Sequence, residues 1–217
     1  MAPLAFLILA LLIPLLLALV FYGLVSLSFV KLGVPRSVVW VLLIAIIVGS
    51  LINIPLFAVH EQSTETIFRM RHFFYLETPR TTTTIVAINV GGAVIPIILS
   101  LWLATKTPLL RTAIALGIVT LTAYMLARVI PGQGIGLNPF IPPIVSAAAA
   151  MILAWRSAAP VAYVSGVLGT LIGADLLHLA EVLDTSGNFL SIGGAGVFDG
   201  IFLVGIIAAL FSPGGRK

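Results

Sequence analysis

The stretch Pro160-Val161-Ala162-Tyr163-Val164-Ser165-Gly166-Val167-Leu168-Gly169-Thr170-Leu171-Ile172-Gly173-Ala174-Asp175-Leu176-Leu177-His178 decides how the rest of the chain is read. It runs without a charge as far as Asp175, and apolar sequence resumes beyond that carboxylate to about Leu183. A helix of about 20 apolar residues crosses a bilayer, so this run predicts a membrane span with an acid inside it. Six more runs of the same kind surround it: Pro3 to about Val30, Val38 to Val59, Ile85 to Ala104, Leu109 to Ile130, Ile141 to Trp155, and about Gly194 to Phe211. The first has no basic leader and is too long for a signal-peptide core, so it predicts a retained helix. The run from Ile141 is short and fits a tilted span or a re-entrant element.

Composition agrees. Of 217 residues, 60% are hydrophobic and 8% charged, whereas a soluble domain carries charge on about a quarter of its residues. An ordinary globular protein is thereby excluded. The net charge of +4 does not point to nucleic acid, because the 11 Lys and Arg are scattered singly or in pairs. With no cysteine there are no disulfides, thiolate chemistry or Cys-based metal sites.

The basic residues set an orientation. With seven spans, Lys31, Arg36, Lys106, Arg111, Arg156, Arg216 and Lys217 fall on one side, and Arg69, Arg71, Arg80 and Arg128 on the other. The excess side is cytoplasmic by the positive-inside rule, which predicts a multi-pass protein of the cell membrane with its N-terminus outside and C-terminus cytoplasmic. The outside then receives the loop from 60 to 84. Its Phe68, Met70, His72, Phe74 and Leu76 partly follow a period of two, and Thr81 to Val86 is β-prone. A small extracytoplasmic β-hairpin on the membrane surface is expected there, with an aromatic interfacial loop as the plain alternative.

Few polar side chains stand within the apolar runs. Asp175 is one, and Asp199 in Gly194-Ala195-Gly196-Val197-Phe198-Asp199-Gly200 is another. An acid there costs at least about 2.5 kcal/mol and faces a bundle interior or a wet cavity. The two flank the polar turn Asp184 to Asn188 symmetrically, which puts them at equal depth if that turn tips a helical hairpin. Gly169-x-x-x-Gly173 and Gly196-x-x-x-Gly200 are small-residue motifs that let helix backbones approach closely, each beside one acid. His178, three residues after Asp175, shares its helix face.

Three readings of this Asp/Asp/His set stay open. It fixes helix packing; or two close carboxylates share a proton and act as general base and general acid; or it binds a cation or relays protons. No His-Glu-x-x-His pattern supports a metal, and no cofactor is expected. Asn53-Ile54-Pro55 and Asn89-x-Gly91-Gly92 read as breaks inside the second and third helices, either a plain Pro kink with close glycine packing or the broken helices that mark transporters. The run Pro131 to Pro143, with Gln133 in it, reads as a stiff connection or a lid over the acids.

The stretches Ala159 to Leu177, Ser191 to Gly200, and Pro131-Gly132-Gln133-Gly134-Ile135-Gly136-Leu137-Asn138-Pro139 resemble an uncharacterised archaeal and bacterial membrane family, a domain of unknown function. More distantly, an Asp on one helix and a glycine-rich Asp on the next is similar to the presenilin-like intramembrane aspartyl proteases. Those enzymes use Tyr-Asp and Gly-x-Gly-Asp. Here Ala174 precedes the first Asp, two residues separate Gly196 from Asp199, and no Pro-Ala-Leu follows.

Together these features predict one membrane domain over residues 1–217: an all-α polytopic protein of about seven transmembrane helices with a small extracytoplasmic β-hairpin. The resemblance implies that Asp175, Asp199 and His178 serve an aspartyl-peptidase-like hydrolase, with a membrane peptide as substrate and a strand near 64 to 86 receiving it by edge pairing. The alternatives are a proton- or cation-coupled transporter or channel using the same acids, and a structural membrane protein. The expected partners are the lipid bilayer and a peptide or small cation, with homo-oligomers allowed and nucleic acid not.

Overall fold

A computed structural model describes residues 2–69, 74–130, 134–185, 189–194 and 200–213. The first apolar run forms α1 (Ala2–Lys31). Its end is set by Gly33 at φ +83°, whose N–H reaches Val30 O at 3.0 Å while Val34 N–H reaches Phe29 O at 2.9 Å. This six-to-one closure needs a left-handed residue, and glycine adopts that conformation without strain. Phe29 and Val34 both enter the main core. Pro35 then starts α2 (Arg36–Ser50), which is tied to α1 by the stacked rings of Tyr22 and Trp40, 4.0 Å apart.

Here the structure departs from what the sequence predicts. α2 stops at Ser50 instead of running to Val59, and a strand β1 (Asn53–Arg69) follows. Pro55 has no N–H to continue a helix and biases Ile54 toward extended backbone. The returning strand β2 (Phe74–Asn89) likewise takes the first five residues of the expected third helix. Thr81 to Ile85 and Val86 are β-branched and fit a pleated surface better than a helix. The hairpin thus reaches well beyond 60–84, in register from Arg69↔Phe74 to Asn53↔Asn89, with a bulge at Leu56 next to Pro55. Asn53 and Asn89 consequently face each other across the open end of the hairpin. They do not interrupt helices as expected.

A π-helical turn, Val90–Val94, leads into α3 (Ile95–Ala104), and α4 (Leu109–Leu126) follows. The Gly- and Pro-rich run holds a two-stranded ribbon, β3 (Arg128–Ile130) with β4 (Gly134–Gly136), and then opens α5 (Ile141–Ala154) with prolines in its first turn. After α5 the helical signal continues through α6 (Ala158–Thr170) and a second π-helical turn, Leu171–Leu176. The 36 residues Ile141–Leu176 are not one straight rod. The backbone leaves helical geometry at Ala154 (φ −145°, ψ 50°) and Ser157 (φ −126°, ψ 30°). A Cβ on Gly166 would lie 3.1 Å from Ser146 Oγ, whereas a straight helix would hold these positions roughly 30 Å apart. The stretch therefore doubles back. α7 (Leu179–Thr185), β5 (Phe189–Ile192) and α8 (Gly200–Phe211) complete the described elements.

α6 is the hub, packed against α3, α4, α5 and α8. Nearly all its side chains are buried, from Ala158 through Thr170. Among the described residues, three helical stretches are long and apolar enough, by length and composition, to cross a membrane: Leu12–Lys31, Leu109–Leu126 and Ile141–Leu176. Arg36–Ser50, Val90–Ala104 and Ile201–Phe211 are apolar but shorter. The protein is thus mostly helical and membrane-compatible, with a small sheet of order β1-β2-β5, in which β5 runs parallel to β2.

Candidate functional site

The sheet and the two π-helical turns meet at a polar junction. At its centre Asn89 makes three hydrogen bonds. Its Nδ2 donates to Ser50 O at 2.8 Å and to Asn53 Oδ1 at 3.1 Å, and its Oδ1 accepts from Gly92 N at 2.8 Å. Ser191 Oγ, on β5, donates to the same Asn53 Oδ1 at 2.7 Å. One buried amide therefore caps the first π-helical turn, closes the hairpin and links both to β5. A side chain that saturated is costly to replace, because each truncated bond strands a partner.

Asp175 stands in the second π-helical turn, half-buried. Such turns widen the helix by one residue and recur at functional positions. Its Oδ2 accepts from Gly193 N at 3.1 Å, the one donor to this carboxylate among the described residues. Gly193 has φ +87°, and a Cβ there would run into Ala93 of the first π-helical turn. Only glycine fits between the two turns with its N–H on the acid. The register Ala87↔Ser191 and Ile88↔Ile192 delivers Gly193 to that place.

His178, three residues after Asp175, is buried, 8% exposed. Its Nδ1 lies 3.1 Å from both Gly173 O and Ala174 O. Carbonyls only accept, so Nδ1 carries the hydrogen. The imidazole ties off the carbonyls of the π-helical turn, with its ring tilted against Tyr124 at 4.9 Å. It orders the segment that carries Asp175 through the backbone.

Asp199, Gly196 and Gln133 lie outside the described residues, and Gly200 opens α8. Gly169 and Gly173 do mark a close helix contact, but with α4 rather than with the helix carrying Gly200. A Cβ on Gly169 would meet Val119 at 2.8 Å, and one on Gly173 would strike Thr120 O. α6 meets α8 elsewhere, where Gly205 lies under Tyr163 and Val167. Among the described residues no three His, Cys, Asp or Glu side chains gather as a metal site would require.

A protein-family model described as a protein of unknown function (DUF1614) matches residues 47–211. The chain belongs to that family. The match takes in Ser50, Asn53, Asn89, Asp175, Ser191 and Gly193 and leaves α1 outside it. No curated protein and no solved structure matches the chain.

Sequence reasoning does not reach Ser50, Ser191 or Gly193. Only Gly193 leaves a signal, as half of a Gly-Gly pair after a β-prone run. Nor does it reach four buried hydroxyls in the bundle, Ser100, Thr120, Tyr163 and Thr170, which find no hydrogen-bond partner among the described residues.

Proposed function

We propose that this is a seven-span protein of the cell membrane, N-terminus outside, whose Asp175 and Asp199 form an intramembrane hydrolase site acting on membrane peptides. The observation that carries the reading is the Gly193 N–H bond to Asp175 Oδ2 at 3.1 Å. It docks the glycine-rich segment onto the first acid six residues before the second, within reach for a chain that spans at most about 3.5 Å per residue. The resemblance to presenilin-like aspartyl proteases supports the same pairing. The topology draws support from Lys31 Nζ, which donates to Leu210 O at 2.6 Å and Ser212 O at 3.0 Å, so the basic end of α1 and the end of α8 share one side.

In this reading the ionised carboxylate takes a proton from water, whose oxygen adds to the peptide carbonyl carbon. The protonated carboxyl gives its proton to the nitrogen as the C–N bond breaks. Substrate presentation moves from the expected position. β2 is central in the sheet, with both edges filled by β1 and β5. Among the described residues no strand pairs with the outer edge of β5, which ends one residue before Gly193, and that edge would take an extended peptide beside Asp175.

The four buried hydroxyls without a partner among the described residues favour a second reading, proton or cation transfer. Tyr163 and Thr170 lie two turns apart on α6, and Ser100 and Thr120 on the helices packed against it. A buried hydroxyl without a partner costs about 1–3 kcal/mol, which is tolerable where it serves a passing proton or ion.

Reconstituted protein, presented with a panel of membrane-spanning peptides, separates the two. Asp175→Asn keeps an oxygen for Gly193 N–H while removing the acid, so the fold survives. Each of Asp175→Asn and Asp199→Asn is expected to cut hydrolysis by about 100-fold or more. Cleavage indifferent to both substitutions sinks the hydrolase. Proton flux lost in Asp175→Asn, from a wild type that cuts nothing, selects the second reading.

A further inference from the structure

At the opposite end of the molecule from the junction, α2 and α3 leave a groove between them. They are brought together where Gly91 sits against Ile46 O and Ser50 N, so closely that a Cβ on Gly91 would overlap both. Toward the start of α2 and the end of α3 they part, and a groove of about 490 Å³ remains, walled by Pro35, Val38, Leu42, Ile98, Leu99 and Trp102. Its size is that of sites that hold a substantial part of a small molecule, and its walls are entirely apolar side chains and backbone. Val38, Ile98 and Trp102 are each at least 40% exposed.

The rim differs from the walls. Lys106 Nζ lies 3.2 Å from the centroid of the Trp102 ring, a cation–π contact that fixes the ammonium on the groove wall itself. Arg36 lies between Pro35 and Val38, both of which line the groove. Neither cation has an acid within its own part of the chain. No Asp or Glu occurs from Met1 to His60 or from Thr78 to Ala174, which covers α1, α2, α3, α4, α5 and α6. Of the basic residues at this end, Lys31 is engaged by the carbonyls ending α8. Lys106 thus holds a positive charge on the wall of an apolar slot, with Arg36 in the first turn of the helix that forms the opposite wall.

We propose that this groove binds an anionic glycerophospholipid, with an acyl chain along Val38, Leu42, Ile98 and Leu99 and the phosphate between Arg36 and Lys106. A free phosphate would leave the slot uncovered, and an apolar helix would leave the two cations uncompensated. One anionic lipid satisfies both halves. The site is independent of whatever chemistry the acids at the other end perform.

The test uses the full chain with Trp40→Phe and Trp155→Phe, so that Trp102 is the remaining indole. It is reconstituted in zwitterionic bilayers containing a minor fraction of brominated phosphatidylglycerol or brominated phosphatidylcholine. Bromine quenches Trp102 on contact, and the two titrations give relative lipid affinities. The anionic lipid is expected to win by about fivefold or more, since each basic side chain at a membrane surface contributes roughly that factor. Arg36→Gln with Lys106→Gln in the same background is expected to bring the ratio to one. Equal quenching before substitution overturns the proposal, as does a preference that survives it. Trp102 shielded from both lipids at high protein density and exposed on dilution assigns the groove to a second copy instead, and also overturns it.

Discussion

α1 and α6 are both apolar helices, yet they meet opposite fates. From Leu12 to Val20 every residue of α1 is exposed, with Leu16 and Leu17 each at 62%. α6 is buried along nearly its whole length. Both stretches are apolar enough to cross a bilayer; what their burial follows is side-chain size. α1 is filled with Leu and Ile, whereas α6 carries Ala158, Ala159, Ala162, Ser165, Gly166, Gly169 and Thr170. In lipid there is no hydrophobic gain from pressing one apolar helix on another, so close packing falls to the helix whose backbone can be approached. The contrast also follows the family boundary, which takes in α6 and omits α1.

The contrast breaks most visibly at the π-helical turn after α6. Gly173→Leu would push a side chain into Thr120 O and against Ala123 Cβ and Tyr124 N. A loss of about 3 kcal/mol is expected from overpacking against backbone, read as failure to recover monodisperse protein or as a shifted unfolding midpoint in mixed detergent. Retention of wild-type stability would mean that α4 and this segment are not in contact.

Lys31→Met probes the charged tie between α1 and α8. Losing the two bonds to Leu210 O and Ser212 O is expected to cost about 1.5–3 kcal/mol. The loss should show as faster exchange or proteolysis at the end of α8, with the α4–α6 packing unmoved. Leu16→Ala should do least. At 62% exposure it has little packing to lose, and a change within about 0.5 kcal/mol is expected in the same titration. A loss as large as that of Gly173→Leu would mean that another protein surface covers this half of α1.

The helical bundle was legible because an uncharged apolar run of span length is stable in few settings besides a bilayer. The hairpin was only half legible. Asn53 and Asn89 sit in sequence so apolar that a buried helix and a strand look alike over a short window. Pro55 and the β-branched run before Asn89 tipped the balance locally. Pairing with β5, about 100 residues away, completed the sheet, and nothing local encodes that. At the site, Asp175 was conspicuous as an acid in an apolar run, but its hydrogen-bond donor among the described residues is a backbone N–H, and an amide has no residue identity to read. Helical spacing placed His178 near Asp175, but the hold of its ring on Gly173 O and Ala174 O depends on the π-turn, which no spacing rule announces. The Gly169 and Gly173 motif correctly announced close approach, though such a motif does not name the helix that approaches.

The grip of Lys31 on Leu210 O and Ser212 O joins positions 179 and 181 residues apart. During synthesis α1 leaves the ribosome long before α8 has been translated. Until then its ammonium has neither of these carbonyls to hold. The bond can therefore form only after all the elements between α1 and α8, α6 among them, have been made. The clasp closes only when α8 arrives, which makes it a latch on completed biogenesis.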